Sequence, residues 1–439
     1  MKITFMGAGS TIFAKNVLGD CMLADCMHNI EIALYDIDGD RLEESKILIE
    51  ALNKNINEGR ATIKCYLGKE NRKEALRGSS FVVNAIQVGG YDPCTIIDFE
   101  IPKKFGLRQT IGDTLGIGGI FRALRTIPVL DEFSEDMCEV CPDAWFLNYT
   151  NPMAMLTGYM QRYTNTKTIG LCHSVQVCRQ HLGETLGMDL SGCSEKIAGI
   201  NHMAWLLEIY DANGKDMYPE IKAKVQEKID DPECNDKVRL EYIKRFGYYC
   251  TESSEHNAEY NPYFIKSGYP ELIDFYNIPL DEYPRRCVNQ IADWKKQKEE
   301  LFNGGAITHE RSREYASRIL EAMITNVPYI IGGNVINTGI ITNLPKDACV
   351  EVPCVVDKNG ITPMHIGDLP VQLAALNQTN INPQLMTIEA AVTKKREDIY
   401  RAAMLDPHTA AELSLDDIVK MCDELIEAHQ AVGYMKEYK

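Results

Sequence analysis

The first dozen residues constrain this chain most. Ile3–Met6 is a short apolar run, and Gly7-Ala8-Gly9-Ser10-Thr11 follows it and opens a helical pattern. A strand that turns through two glycines into a helix leaves unpaired amides at the helix N-terminus. Gly7 permits the tight turn, Gly9 lets the backbone approach an anion, and the helix dipole favours a pyrophosphate there. Asp36 ends the next strand candidate, Glu31–Tyr35, somewhat further on than the ~20 residues usual for this arrangement. A carboxylate at that place accepts both ribose hydroxyls of NAD and repels the 2′-phosphate of NADP. Ile12 stands where a third glycine belongs, so the motif is incomplete. A plain strand–helix turn would use the same two glycines.

Further strand candidates are Phe81–Ile86, Trp145–Tyr149 and Thr168–Cys172, and helical spacing runs through Arg41–Leu52 and Ile120–Phe133. Apolar strands alternating with helices predict an α/β fold, a Rossmann-like doubly wound parallel sheet. The pattern changes in the region of residues 175–195. Ile197–Tyr210 is a long mixed run, Asp211–Glu300 reads as polar and irregular, and helical spacing returns at Glu310–Ile324 and from Thr387 onward. We expect an NAD-binding domain at 1–185. A C-terminal α+β domain at 186–439 would complete the active site and carry oligomerisation.

Charge narrows the partners. There are 46 basic and 63 acidic side chains, a formal net charge of −17. Such a surface repels phosphate backbones and anionic membranes, so neither nucleic acid nor a membrane is expected as a partner. No run approaches ~18 apolar residues, and no signal-peptide core follows Met1, so the expected location is cytoplasmic. Fifteen cysteines at irregular spacing read as reduced, mostly buried small hydrophobes. Cys138 and Cys141 form a CxxC without the second pair that a zinc site needs.

Several polar clusters fall where a ligand of an open α/β sheet would lie, beyond the carboxyl ends of the strands. Gln109–Gly119 is glycine-rich, contains Asp113 and ends at a helix start. Asn148-Tyr149-Thr150-Asn151-Pro152 closes a strand and offers two amides, though an Asx turn before proline looks the same. Cys172-His173 closes another strand, and Asn201-His202 lies in the mixed run. A thiolate and an imidazole from separate segments suit one divalent metal, but two donors do not define a site. Glu252–Tyr260 packs three acids, a histidine and a tyrosine into one stretch, which a solvated loop would do equally well.

Together these segments resemble glycoside hydrolase family 4. Gly-Ala-Gly-Ser-Thr at 7–11, Gly-Asp-Thr-Leu-Gly-Ile-Gly-Gly-Ile at 112–120 and Asn-Tyr-Thr-Asn-Pro-Met-Ala at 148–154 carry the likeness. So do Gly-Leu-Cys-His-Ser-Val at 170–175, Gly-Ile-Asn-His-Met-Ala at 199–204 and Asp-Pro-His-Thr-Ala-Ala at 406–411, so the likeness spans nearly the whole chain. Within the family, Gln87–Tyr91 and Thr251–His256 are most similar to the branch acting on melibiose-like α-galactosides. The incomplete glycine motif is then no defect, since the family loop also reads Gly-Ala-Gly-Ser.

The resemblance implies an NAD- and divalent-metal-dependent α-galactosidase, commonly with Mn²⁺, held by Cys172 and His202. It implies a cofactor site at Gly7, Gly9, Ser10, Thr11 and Asp36. Substrate contacts would come from Asn148 and Asn151, and Arg286 is a candidate because Arg285-Arg286 would suit a phosphate. Proton transfer would fall to a base, Tyr260 before Glu255, and to an acid, Asp113 or His173. The expected reaction is hydrolysis through oxidation at C3, deprotonation at C2, elimination, water addition and re-reduction. The expected partner is a small-molecule glycoside, and the expected assembly is a homo-oligomer, dimer or tetramer. The alternatives are an α-galacturonidase or α-glucosidase of the same family, or a 2-hydroxy-acid dehydrogenase gripping a carboxylate with Arg122 or Arg125. A non-catalytic NAD-sensing regulator is a further alternative.

Overall fold

The structure is a computed structural model that describes residues 1–303 and 307–439. Its spine is one sheet. Strands β1 (Lys2–Met6), β2 (Glu31–Asp36), β3 (Thr62–Leu67), β4 (Phe81–Asn84), β5 (Trp145–Asn148) and β6 (Lys167–Gly170) lie in the order 3-2-1-4-5-6, each pair parallel. That is the Rossmann order. Helices Thr11–Met22, Gly39–Asn57, Gly116–Val140, Met153–Tyr163 and Ser174–Leu186 connect or flank these strands. β1 is buried along its whole length, as expected of a strand covered on both faces.

Register lines up the site. Tyr35, Met6, Asn84, Asn148 and Gly170 are successive cross-strand neighbours at the carboxyl ends of β2, β1, β4, β5 and β6. The glycine loop, Asp36, the Asn151 turn and Cys172 all leave the sheet just beyond this row.

The sheet continues into antiparallel strands. These are β7 (Ser194–Ile200), β8 (Met203–Tyr210), β9 (Tyr249–Cys250), β10 (Tyr329–Ile336), β11 (Cys349–Asp357) and β12 (Gly360–Pro363). β10 joins β6 through a single bridge, Asn334 opposite Gly170, and β11 joins β7 through Glu351 opposite Gly199. The mixed run at 197–210 is the β7–β8 hairpin, in which Ile200 pairs Met203 and Asn201-His202 makes the turn. β9 then pairs β8, with Trp205 opposite Cys250, so Glu252 emerges beside His202. One buried core cluster includes Ile3 and Phe5 of β1 together with Val350 and Val352 of β11.

One expectation needs correction, and one strand, β3, gave no signal in the sequence. Asp211–Glu300 is not irregular, because helices Tyr218–Asp230, Lys237–Phe246, Ser254–Glu259 and Glu282–Asn303 fill much of it. Tyr218–Asp230 buries only Tyr218, Ile221, Val225 and Ile229, and Ser254–Glu259 has no large apolar side chain, so mean polarity hides them. β3 escaped notice because an edge strand alternating between partly and fully exposed residues gives little apolar signal.

Candidate functional site

A cavity of roughly 420 Å³ lies beyond the carboxyl ends of the parallel strands. The glycine loop bounds it on one side through Ser10, and Cys172, His202 and Glu252 bound it on the other.

The loop side is tightly built. Gly7 has φ +83°, and a Cβ there would sit 2.8 Å from the Ala85 carbonyl oxygen, so only glycine fits. A Cβ on Gly9 would meet Asp36 Oδ2 at 2.8 Å and Arg41 Cβ at 2.9 Å. The Gly9 N–H donates to Asp36 Oδ2 at 2.6 Å. Thr11 is buried, and Ser45 Oγ lies 3.0 Å from its hydroxyl and donates to the Ala8 carbonyl at 2.6 Å. Asp36 is thus fixed against the loop at the tip of β2.

On the far side, donor atoms of Cys172, His202 and Glu252 all lie within 4.8 Å of one another. Glu252 Oε2 is 3.3 Å from His202 Nε2. The Tyr260 hydroxyl is 3.1 Å from His202 Nδ1, and Ser174 Oγ is 3.2 Å from Cys172 Sγ. Burial works against charge on His202, but Cys172 and Glu252 outweigh it and raise the imidazole pKa to about 10. Burial likewise disfavours the Glu252 carboxylate, yet His202 and His256 hold it down to about 2. The cluster therefore draws positive charge.

Asp113 faces the cavity between these sides. Its carboxylate accepts from Thr114 Oγ1 at 2.7 Å and lies 3.4 Å from Arg122 Nη1 and 3.8 Å from His256 Nε2. Asn151 Nδ2 approaches it at 3.5 Å. The loop carrying Asp113 is pinned from behind by Glu259, whose carboxylate accepts the N–H groups of Thr110 and Gly112, each at 2.7 Å. Burial raises the Glu259 pKa to about 7 against those bonds. His173 also lines the cavity, with Nε2 2.5 Å from Glu314 Oε2.

Four sequence-derived candidates lie elsewhere. Asn148 is buried and its side chain is already used: Oδ1 accepts from Asn84 Nδ2 at 2.9 Å, and Nδ2 donates to the Thr150 carbonyl at 3.1 Å. It holds the turn that presents Asn151 and does not border the cavity. Tyr260 is fully buried behind His202, so it buttresses that imidazole instead of meeting a substrate. Burial, with Asp113 and Glu259 nearby, also lifts its pKa well above 10, a poor setting for a base. Glu255 points away and pairs with Arg286, which also bonds Glu282 Oε1 at 2.9 Å. Neither Glu255 nor Arg286 lines the cavity.

Four residues given no role in the glycosidase expectation also stand in the wall: Glu252, His256, Arg122 and Tyr283. Tyr283 receives a hydrogen bond from Arg122 Nη2 at 3.1 Å. The first two belonged to a cluster whose signal was only its density of acids. Nothing in the sequence pairs Arg122 with Tyr283. Arg125, one of the two arginines a dehydrogenase would use, has a fully buried side chain bound to Asp98 Oδ2 at 2.7 Å, out of reach of any substrate.

A dinucleotide-type loop facing a thiolate–imidazole–carboxylate cluster across a Rossmann sheet defines a class of cofactor- and metal-assisted enzyme. Residues 2–188 match the Family 4 glycosyl hydrolase model, and residues 197–409 match the Family 4 glycosyl hydrolase C-terminal domain. The chain is 63% identical over 438 residues to an alpha-galactosidase of Bacillus subtilis (strain 168), covering 100% of both. It is 33% identical to an alpha-galactosidase of Rhizobium meliloti (strain 1021), covering 97% of this chain and 88% of that one. Among solved structures, a 6-phospho-beta glucosidase from Thermotoga maritima with manganese, NAD⁺ and glucose-6-phosphate superposes with a TM-score of 0.77. The two are 21% identical, over 98% of this chain and 99% of that one. The chain belongs to the family 4 glycosyl hydrolases.

Proposed function

We propose that this chain is an α-galactosidase that hydrolyses melibiose-like α-galactosides with NAD⁺ and a divalent metal, commonly Mn²⁺. One observation carries the reading: end-to-end identity of 63% with the Bacillus subtilis alpha-galactosidase. The residues present suit both groups. Gly9 lets its N–H hold Asp36 Oδ2 at 2.6 Å, which seats a carboxylate beside the loop where the ribose of a dinucleotide would lie. Thiolate, imidazole and carboxylate are a donor set for a divalent transition metal. Held at the glycine loop and Asp36, NAD⁺ would supply reversible hydride acceptance, and a divalent metal held by Cys172 and His202 would supply Lewis acidity.

The chain's own residues orient the sugar and move protons. Asn151 and Asp113 face the sugar space together, and Arg122 beside Asp113 holds the carboxylate in one place. We assign Asp113 the proton of the leaving oxygen. Tyr283 replaces Tyr260 as the candidate for the C2 proton, because its ring faces the cavity and Arg122 offsets part of the burial that raises its pKa. His173, held by Glu314, borders the same space. The proposed division of labour is a cofactor part, residues 1–185, and a sugar-binding and oligomerisation part, residues 186–439. Val327 and Ile330, exposed at 66% and 61%, offer apolar surface for a homo-oligomer, dimer or tetramer. A cytoplasmic location belongs to the same proposal; among the described residues, no helix is long and apolar enough to cross a membrane.

The test is a p-nitrophenyl panel of α-galactoside, α-galacturonide, α-glucoside and 6-phospho-glycosides under reducing conditions. Release from the α-galactoside is expected only with both NAD⁺ and Mn²⁺, without net NADH. Activity that survives chelation and NAD⁺ removal refutes the mechanism, and preference for another sugar refutes the substrate.

A further inference from the structure

Cys172 and His202 offer a divalent ion two protein donors, which leaves it dependent on the sugar to complete its coordination. The geometry points to a third protein ligand: we infer that Glu252 binds the ion directly through Oε2, so that the ion is held before any sugar arrives. This rests on the proposed metal dependence and adds a residue that the Cys–His pair does not include.

Three features support it. The first is spacing. Glu252 Oε2 and His202 Nε2 are 3.3 Å apart, and one donor atom of each of Cys172, His202 and Glu252 lies within 4.8 Å of the others. Two donors on one ion with bonds of ~2.0–2.2 Å stand about that far from each other. The second is support. Each donor residue has its own buttress on an atom other than the one facing the cluster centre, or beside it. Tyr260 hydroxyl meets His202 Nδ1 at 3.1 Å and so leaves Nε2 to point inward. The Ser253 N–H donates to Glu252 Oε1 at 3.0 Å and leaves Oε2 to face His202 Nε2. Ser174 Oγ lies 3.2 Å from Cys172 Sγ. Outer partners that fix ligand orientation are a regular part of metal sites.

The third is backbone conformation. His202 has φ +62° and Glu252 has φ +61°, a left-handed conformation uncommon outside glycine. His202 takes it in the two-residue turn of the β7–β8 hairpin, and Glu252 takes it just after β9. Strained residues of this kind persist where the surroundings over-determine them, often at functional sites. Here both bring their donors to one point. The charges also close: a thiolate, a carboxylate and a neutral imidazole sum to the opposite of a divalent cation.

The test is Mn²⁺ titration of the chelator-stripped full chain, without sugar or NAD⁺, with free Mn²⁺ read by electron paramagnetic resonance. The wild type is expected to bind one ion, and E252Q to bind at least tenfold more weakly. E252D keeps the charge but withdraws the donor by one methylene, so it too should weaken binding. Wild-type affinity in either E252Q or E252D overturns the inference. Thermal melts of the stripped variants verify folding, and E252D decides if E252Q does not fold. If the wild type binds Mn²⁺ only after NAD⁺ and an α-galactoside are added, the inference fails and the proposed function stands. If it binds none under any condition, both fail.

Discussion

The two sides of the cavity are built in opposite ways. The loop side comes from one contiguous stretch, residues 7–11, with Asp36 at the tip of the adjacent strand. Its specificity lies in what is missing: two glycine Cβ atoms that would strike Ala85 or Asp36. The other side comes from three segments, at 172, 202 and 252, brought together by β6, the β7–β8 hairpin and β9. Its specificity lies in what is present, three donors and their buttresses. A site made by local backbone tolerates little change within the loop. A site made by long-range pairing depends on the whole sheet.

The comparison can be broken at its chemical end first. C172S should lower turnover by about 10³-fold or more, on the order of 4 kcal/mol of transition-state stabilisation. Circular dichroism and NAD⁺ affinity should stay close to wild type. Near-normal turnover would mean that the assembled side is not where the chemistry happens. The next effect concerns the ties between distant segments. Asp98 is buried between Arg125, at 2.7 Å, and His429, at 2.9 Å. D98N should cost about 3 kcal/mol in urea unfolding, because it leaves a buried guanidinium without its counter-charge. Burial opposes the Asp98 charge, but Arg125 and His429 hold its pKa below the ordinary value of 3.8. Its contribution is therefore present above about pH 4 and is lost as pH falls through the native pKa. D98N should flatten that acid limb of the wild-type stability curve. The smallest effect is local. G9A should raise the NAD⁺ Kd by roughly 10- to 100-fold, about 1.4 to 2.7 kcal/mol, as read by fluorescence titration. Mn²⁺ affinity should not change; if it does, the two sides are less independent than their construction implies.

The same contrast explains what the sequence disclosed. The strand, glycine turn and acid at 36 are neighbours in a local pattern, so the parallel half of the fold was legible. Cys172 and His202 suited one divalent metal by residue type, but only the resemblance joined them into a site, since no spacing rule links residues thirty apart that follow different strands. Glu252 was hidden in an acidic stretch until β9 paired with β8. Glu255 leaves the cavity by helical phase, whereas Tyr260, just past the helix on the side of His256, is buried behind His202. In the six-residue helix Ser254–Glu259, each step turns the side chain by about 100°. His256 therefore faces the cavity while Glu255 turns out toward Arg286. So short a helix has no apolar stripe from which to read that phase. Asn148 misled for a different reason. Its strand-end position suits a ligand, but the neighbouring strand supplies Asn84, which claims the amide first.

The single bridge between Asn334 and Gly170 bears on motion. It fastens the antiparallel half of the sheet to β6 two residues before Cys172. A Cβ on Gly170 would lie 2.5 Å from Thr157 Oγ1 and 2.8 Å from Asn334 Cβ, so the joint is also closely packed. The two halves cannot swing apart as rigid bodies without dragging the cysteine from its partners. The Asp113 loop is fixed as well, by Glu259 and by the Tyr283 N–H donating to the Thr110 carbonyl at 3.0 Å, so both walls of the cavity stand in place before any ligand arrives.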